Sequence, residues 1–183
     1  MNSFSSVNQM NQMTQTLREP ARALDLADTF RATLAQAGLH AALRLLNGTT
    51  SYRFTGVYCF EPEWVRSYVL YDRENPALEV GANVRMKESY CMYTARAGAP
   101  LVIENAPQEP RWLGHAARDS VLSYVAVLLL DSDGLPLGTL CHFDFCGREL
   151  PPGTLELLLE VRESVQEHLW ANGLSARPGT VFS

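Results

Sequence analysis

The spacing of apolar residues changes along the chain, and each change predicts an element. Leu24, Ala27, Phe30, Arg31 and Leu34 recur at helical spacing behind Glu19 and Pro20, with Gly38 as the stop. Leu39, Ala42, Leu43 and Leu46 predict a second short helix, closed by Asn47 and Gly48. From residue 51 the period becomes two. Residues 52–60 and 64–71 read as strands of a hairpin turning at Glu61, Pro62 and Glu63. The polar stretch 72–87 predicts a loop. Residues 88–97 predict a short helix ended by Gly98, 100–104 a short strand, 105–111 a Pro-rich loop, and 112–122 a further short helix. Residues 124–130 are apolar throughout, which suits a strand covered on both faces. Asp131, Ser132, Asp133 and Gly134 supply a turn. The return strand then alternates, with Leu137, Thr139, Cys141, Phe143 and Phe145 on one face and Gly138, Leu140, His142 and Asp144 on the other. A helix over 154–170 places Leu155, Leu158, Leu159, Arg162, Val165 and Leu169 on one stripe.

Strands outnumber crossover helices in this order, and most neighbours are joined by turns. The sheet is therefore expected to be largely antiparallel and the class α+β. A length of 183 residues suits one domain. Composition assigns 1–18 to disorder, 19–172 to the folded domain and 173–183 to a tail, with no internal repeat.

Charge narrows the partners. The net charge is −5, Lys87 is the one lysine, and the arginines are scattered, so no basic stripe exists for nucleic acid. No run approaches the ~20 apolar residues of a membrane span. Residues 1–16 lack both a basic start and an apolar core, so no signal peptide is read and the cytoplasm is the expected location. Cys59, Cys91, Cys141 and Cys146 form no CxxC pair and no zinc spacing, and are expected to be reduced. Glycine-rich phosphate loops are absent too.

The succession ESYC, AGAPLVIENA, EPRW and SYVAVLLLDSDGLPLGTLCHFD resembles the GAF domain family over about residues 24–170. The resemblance implies a central five- or six-stranded antiparallel sheet. The N- and C-terminal helices would lie on one face and often dimerise, while short helices and loops over 72–122 form a ligand chamber on the other. It also implies a sensor for small molecules, although the fold names no ligand. Specialised relatives fit less well. The Asn-Lys…Phe…Asp-Glu signature of cyclic-nucleotide binders is missing. Relatives that reduce free methionine sulfoxide need several chamber cysteines, and here Cys91 stands alone without a resolving partner. Bilin-binding relatives carry Cys followed by His, but Cys141 and His142 fall on the last strand. The histidines and carboxylates show no spacing that would gather an iron ion.

The candidate ligand-binding residues are Tyr90, Cys91, Tyr93, Trp112, His115, Tyr124 and His142, each weighed against plain core packing. His40 and His168 are expected at the surface. Cys141 and His142 point to opposite faces and cannot act as a pair. No catalytic residue and no metal ligand is assigned, and no cofactor is identified. The leading expectation is a non-enzymatic sensor of an unidentified small molecule. Its signal would leave through a homodimer of the terminal helices or a signalling protein partner, because only about ten residues follow the core. Two alternatives stand: a thiol-based redox sensor or reductase using Cys91, and a structural adaptor without a ligand.

Overall fold

The computed structural model describes residues 4–182, with side chains from Asp25 onward. Helix α1 (Phe4–Asn47) is broken at Gly38, whose φ of 83° and ψ of 177° lie outside any helix, so the two expected helical stripes are two rods joined there. The helix begins inside the segment that composition assigns to disorder. Residues 1–3 of that segment lie outside the described residues. Pro20 consequently falls within the helix rather than in its first turn.

Six strands follow: β1 (Phe54–Phe60), β2 (Trp64–Asp72), β3 (Val84–Arg85), β4 (Leu101–Ile103), β5 (Ser123–Leu130) and β6 (Pro136–Asp144). They form one sheet in the order β3-β2-β1-β6-β5-β4, with every pair antiparallel. The short helix α2 (Cys91–Ala97) interrupts between β3 and β4, and α3 (Thr154–Ala171) ends the fold. The architecture is the expected α+β layer, with β6 in its middle between β1 and β5.

Each sheet face is apolar, so each needs a cover. On one side α1 and α3 bury Phe30, Leu43, Leu46, Leu158, Val161 and Leu169 against Val57, Val127, Leu129 and Leu140. On the other, α2 and the loops around it bury Phe54, Tyr58, Tyr90, Met92, Trp112 and Tyr124. Residues 124–130 of β5 therefore meet hydrophobic layers on both sides, as their unbroken apolar run requires. Gly138 is fixed by close approach. A Cβ there would stand 2.0 Å from the Tyr58 carbonyl oxygen.

Further expectations change, among them His40, expected at the surface but half-buried with its Nε2 inside the protein. Leu137 joins the helix side, not the face of Thr139 and Cys141. Leu130 pairs with Pro136 and Leu129 with Gly138, so Leu137 is the extra residue of a bulge, which re-aims its side chain. Residues 113–122 form turns rather than a helix, entered by a 3₁₀ turn at Pro110–Trp112. The buried stripe of α3 is Leu157, Leu158, Val161, Val165 and Leu169, which leaves Leu159 38% exposed. The residues after α3 are docked. The Ala176 amide donates to Asp131 Oδ2 at 3.0 Å, and the Phe182 ring meets Phe60 edge-on at 5.0 Å. No helix among the described residues is long and apolar enough to cross a membrane.

Candidate functional chamber

Two elements build a cavity over the face of β1, β6 and β5 opposite the terminal helices. Helix α2 presents Cys91 and follows Tyr90, and it ends at Gly98 (φ 60°), whose left-handed conformation turns the chain back toward β4. The turns after Trp112 bring Ala117, Ser120 and Val121 in from the side. Between these walls and the sheet lies a cavity of about 260 Å³ lined by Tyr58, Val65, Val84, Glu88, Ser89, Tyr90, Cys91, Ala116, Ala117, Ser120, Val121, Tyr124, Cys141 and Phe143. A hollow of about 800 Å³ beside α1 and the start of α3 is larger. It takes in the exposed Arg44, Gly48 and Gly153, and among the described residues none of its lining side chains has a buried polar atom left unpartnered.

The chamber's polar groups are mostly engaged. The Tyr124 hydroxyl donates to Cys91 Sγ at 3.2 Å, and the Thr139 hydroxyl donates to the same sulfur at 3.3 Å. Ser89 Oγ accepts the Cys91 amide, and Cys141 Sγ donates to the Gly56 carbonyl. The Tyr90 hydroxyl is buried without a partner. Burial pushes the Tyr90 phenol up to about 12 and also raises those of Tyr58 and Tyr124, so all three stay neutral. Burial likewise holds the Cys141 thiol well above its usual range, with the neighbouring Cys91 sulfur adding to it. Glu88 is the one ionisable carboxyl in the lining, and no Lys or Arg lines it.

Of the expected residues, Tyr90, Cys91 and Tyr124 line the cavity. Tyr93, Trp112 and His115 stand behind them as a packed aromatic group. Tyr90 stacks on His115 at 4.7 Å and meets Trp112 edge-on at 4.8 Å, and Tyr93 meets Trp112 edge-on at 5.0 Å. Trp112 is thus an anchor of the wall, held by its indole N–H to Glu109 at 3.2 Å. His115 Nδ1 accepts the Ala117 amide, which leaves the ring proton on Nε2, a buried donor without a partner. Burial lowers the pKa of His115.

His142 does not join this group. It lies on the helix side of β6, one residue out of phase with Cys141, where the Thr55 hydroxyl meets its Nδ1 at 2.7 Å. Thr55 in turn accepts from Asn47 Nδ2 at 2.9 Å. Desolvation, with Arg73 nearby, lowers the His142 pKa to about 3, so it stays neutral as part of the core.

The alternation of β6 gave Cys141 and Phe143 a common face, but not which face the chamber would occupy. That is decided by the pairing of Cys141 with Gly56 and by the seat of α2. Cys91 is therefore not alone: Cys141 shares its cavity. Tyr58 and Glu88 also line it, and neither stood out in the sequence.

No family model matches the chain, and no curated protein matches it in sequence. Solved structures do match. One is the free methionine-R-sulfoxide reductase of Neisseria meningitidis in complex with its substrate, at 15% identity and a TM-score of 0.65, covering 84% of this chain and 91% of that one. Another is the GAF domain of an Acinetobacter phosphoenolpyruvate-protein phosphotransferase, at 12% identity and TM-score 0.64, covering 83% and 97%. A third is the chromophore-binding domain of Stigmatella aurantiaca phytochrome P1, at 12% identity and TM-score 0.65, covering 81% and 60%. These neighbours include an enzyme, a chromophore binder and a domain of a phosphotransferase, so the likeness carries architecture and no single activity. With its sheet order, its two covering layers and these neighbours, the chain has the GAF-domain fold.

Proposed function

We propose that this protein is a sensory module that binds a small molecule in the chamber and passes the event on by protein contact. One observation carries the reading. A half-open cavity of about 260 Å³ is lined mainly by aromatic, aliphatic and thiol side chains, with Glu88, Ser89 and Ser120 among them, beside a buried Tyr90 hydroxyl that lacks a partner. A packed core of ordinary density leaves few voids larger than a water molecule, and an apolar cavity of ~150 Å³ already accepts benzene. The space suits a molecule of one-ring or compact branched size. The reading predicts a thermal shift with at least one compound of a metabolite library, of about 2.7 kcal/mol at a hundredfold excess over Kd. Ala117→Leu, which fills the cavity, should abolish that shift. No shift with any compound, together with a filled variant more stable than the parent, overturns it.

The same proposal sends the signal through the helix layer. A ligand can bias that layer only by its differential affinity for two arrangements, with a tenfold bias needing about 1.4 kcal/mol. We take the outlet to be a homodimer or a signalling protein seated on α1 and α3, with Leu159 as its exposed apolar contact. Four unpaired cysteines agree with a reducing compartment, and the proposal includes a cytoplasmic location.

A second reading rests on Cys141 sharing the chamber with Cys91. Two thiols can reduce a sulfoxide by forming one disulfide and releasing the sulfide and one water. Incubation with methionine sulfoxide that releases methionine and leaves the protein two hydrogens lighter, and does neither in Cys141→Ala, would establish this chemistry. Unchanged mass would dismiss it.

A further inference from the structure

We propose that the chamber is an aromatic cage for a small alkylated ammonium ion, with Glu88 as its counter-charge at the mouth. The inference rests on the chamber being a ligand site and names the class of ligand. Four rings line the cavity: Tyr58 and Phe143 from the sheet strands β1 and β6, Tyr124 from β5, and Tyr90 ahead of α2. These rings are tilted against one another rather than stacked face to face. Tyr58 meets Phe143 edge-on at 6.2 Å, and Tyr90 and Tyr124 are tilted by 48° with centroids 5.6 Å apart. Phe54 stacks on Phe143 at 4.6 Å and so covers one face of that ring.

Ring faces carry negative potential and attract a cation that has shed its water, which is the physical basis of quaternary-ammonium recognition. The three phenols remain neutral, and no lysine or arginine competes for the rings from within the lining. An anion would find no positive partner among these side chains. Glu88 is exposed at the rim, and among the described residues it enters no ion pair, so its carboxylate is free to face an incoming cation. The shape agrees with the charge. A trimethylammonium head is compact and branched, and suits a cavity of about 260 Å³ whose lining adds the aliphatic Val65, Val84 and Val121 to the rings.

Calorimetry on the full chain with choline and with 3,3-dimethylbutan-1-ol, its uncharged carbon isostere, tests this directly. The expected result is choline binding about tenfold tighter, equivalent to about 1.4 kcal/mol. Glu88→Gln should remove part of that margin and leave the isostere unchanged. Equal or tighter binding of the isostere overturns the cation and leaves the chamber reading standing. If neither probe binds while another library compound does, the cation is again overturned. If nothing binds, both readings fall.

Discussion

At the scale of single residues, some buried polar side chains on the helix side of the sheet are held in a connected set. Asn47 is the clearest case. Its Nδ2 reaches the Tyr52 carbonyl at 3.0 Å and Thr55 Oγ1 at 2.9 Å, and its Oδ1 takes Arg73 Nε at 2.9 Å. Asn47→Ala removes these three bonds while Thr55 keeps His142 and Arg73 keeps two backbone carbonyls, so a loss of about 2–3 kcal/mol is expected in urea unfolding. His142 makes a pH prediction. Its folded pKa of about 3 lies below the ordinary 6.5, so the unfolded chain binds the proton more readily. The contribution of neutral His142 is complete above pH 6.5 and is lost as pH falls toward 3, at up to about 1.4 kcal/mol per unit. His115 acts in the same direction, also through burial. Asp72, held low chiefly by its bond from Arg53, and Asp131, held low by three backbone amides against the opposing effect of burial, add their losses only below about pH 4. Urea midpoints measured between pH 6.5 and 4.5 should therefore decline, with a shallower slope in His142→Gln. A flat profile in the parent protein would contradict the buried neutral ring.

At the scale of elements, strand identity was legible because period two and aromatic or β-branched residues coincide in β1, β2 and β6, and because β5 is an unbroken apolar run. Helix α2 was legible through Gly98, and α3 through its apolar spacing. What escaped the sequence was set by neighbours. The bulge at Leu137 follows from the count of residues on β5 against β6. The turns over 113–122 follow from Gly114, whose φ of 81° no helix allows, and from His115, whose ring takes the Ala117 amide that a helix would have used. The candidate residues divide for the same reason. Tyr90, Cys91 and Tyr124 sit where the element order put them, whereas His142 was lost to the other face by a single residue of phase. Gly138 carries the element-scale prediction. Because its Cα lies against the β1 backbone, Gly138→Ala must push β1 and β6 apart. About 3 kcal/mol of destabilisation is expected by thermal or urea unfolding. A stability within 0.5 kcal/mol of the parent, roughly the spread of neutral surface changes, would mean the strands have room to move.

At the scale of the whole molecule, the apolar stripes of α1 from Asp25 onward and of α3 are largely consumed within the fold. Leu158 is wholly buried in the helix-side core, so a charge placed there would unfold the protein rather than split a dimer. Leu159 is the informative position. If the helix layer is a dimer contact, Leu159→Glu should shift the protein from dimer to monomer in sedimentation at micromolar concentration with little change in melting temperature. A parent protein that already sediments as a monomer would remove the homodimer from the proposal.

The placement of the tryptophans has a practical consequence. Trp64 lies on β2, next to the edge strand β3, beneath the guanidinium of Arg85 at 4.1 Å, Trp112 is packed behind the cavity wall, and Trp170 is tied to the Leu130 carbonyl at 3.0 Å in the helix layer. The molecule thus carries a native fluorophore in each of its three layers. Emission from Trp112 alone should respond first when something enters, and a delayed change at Trp170 would time how quickly the news crosses the sheet.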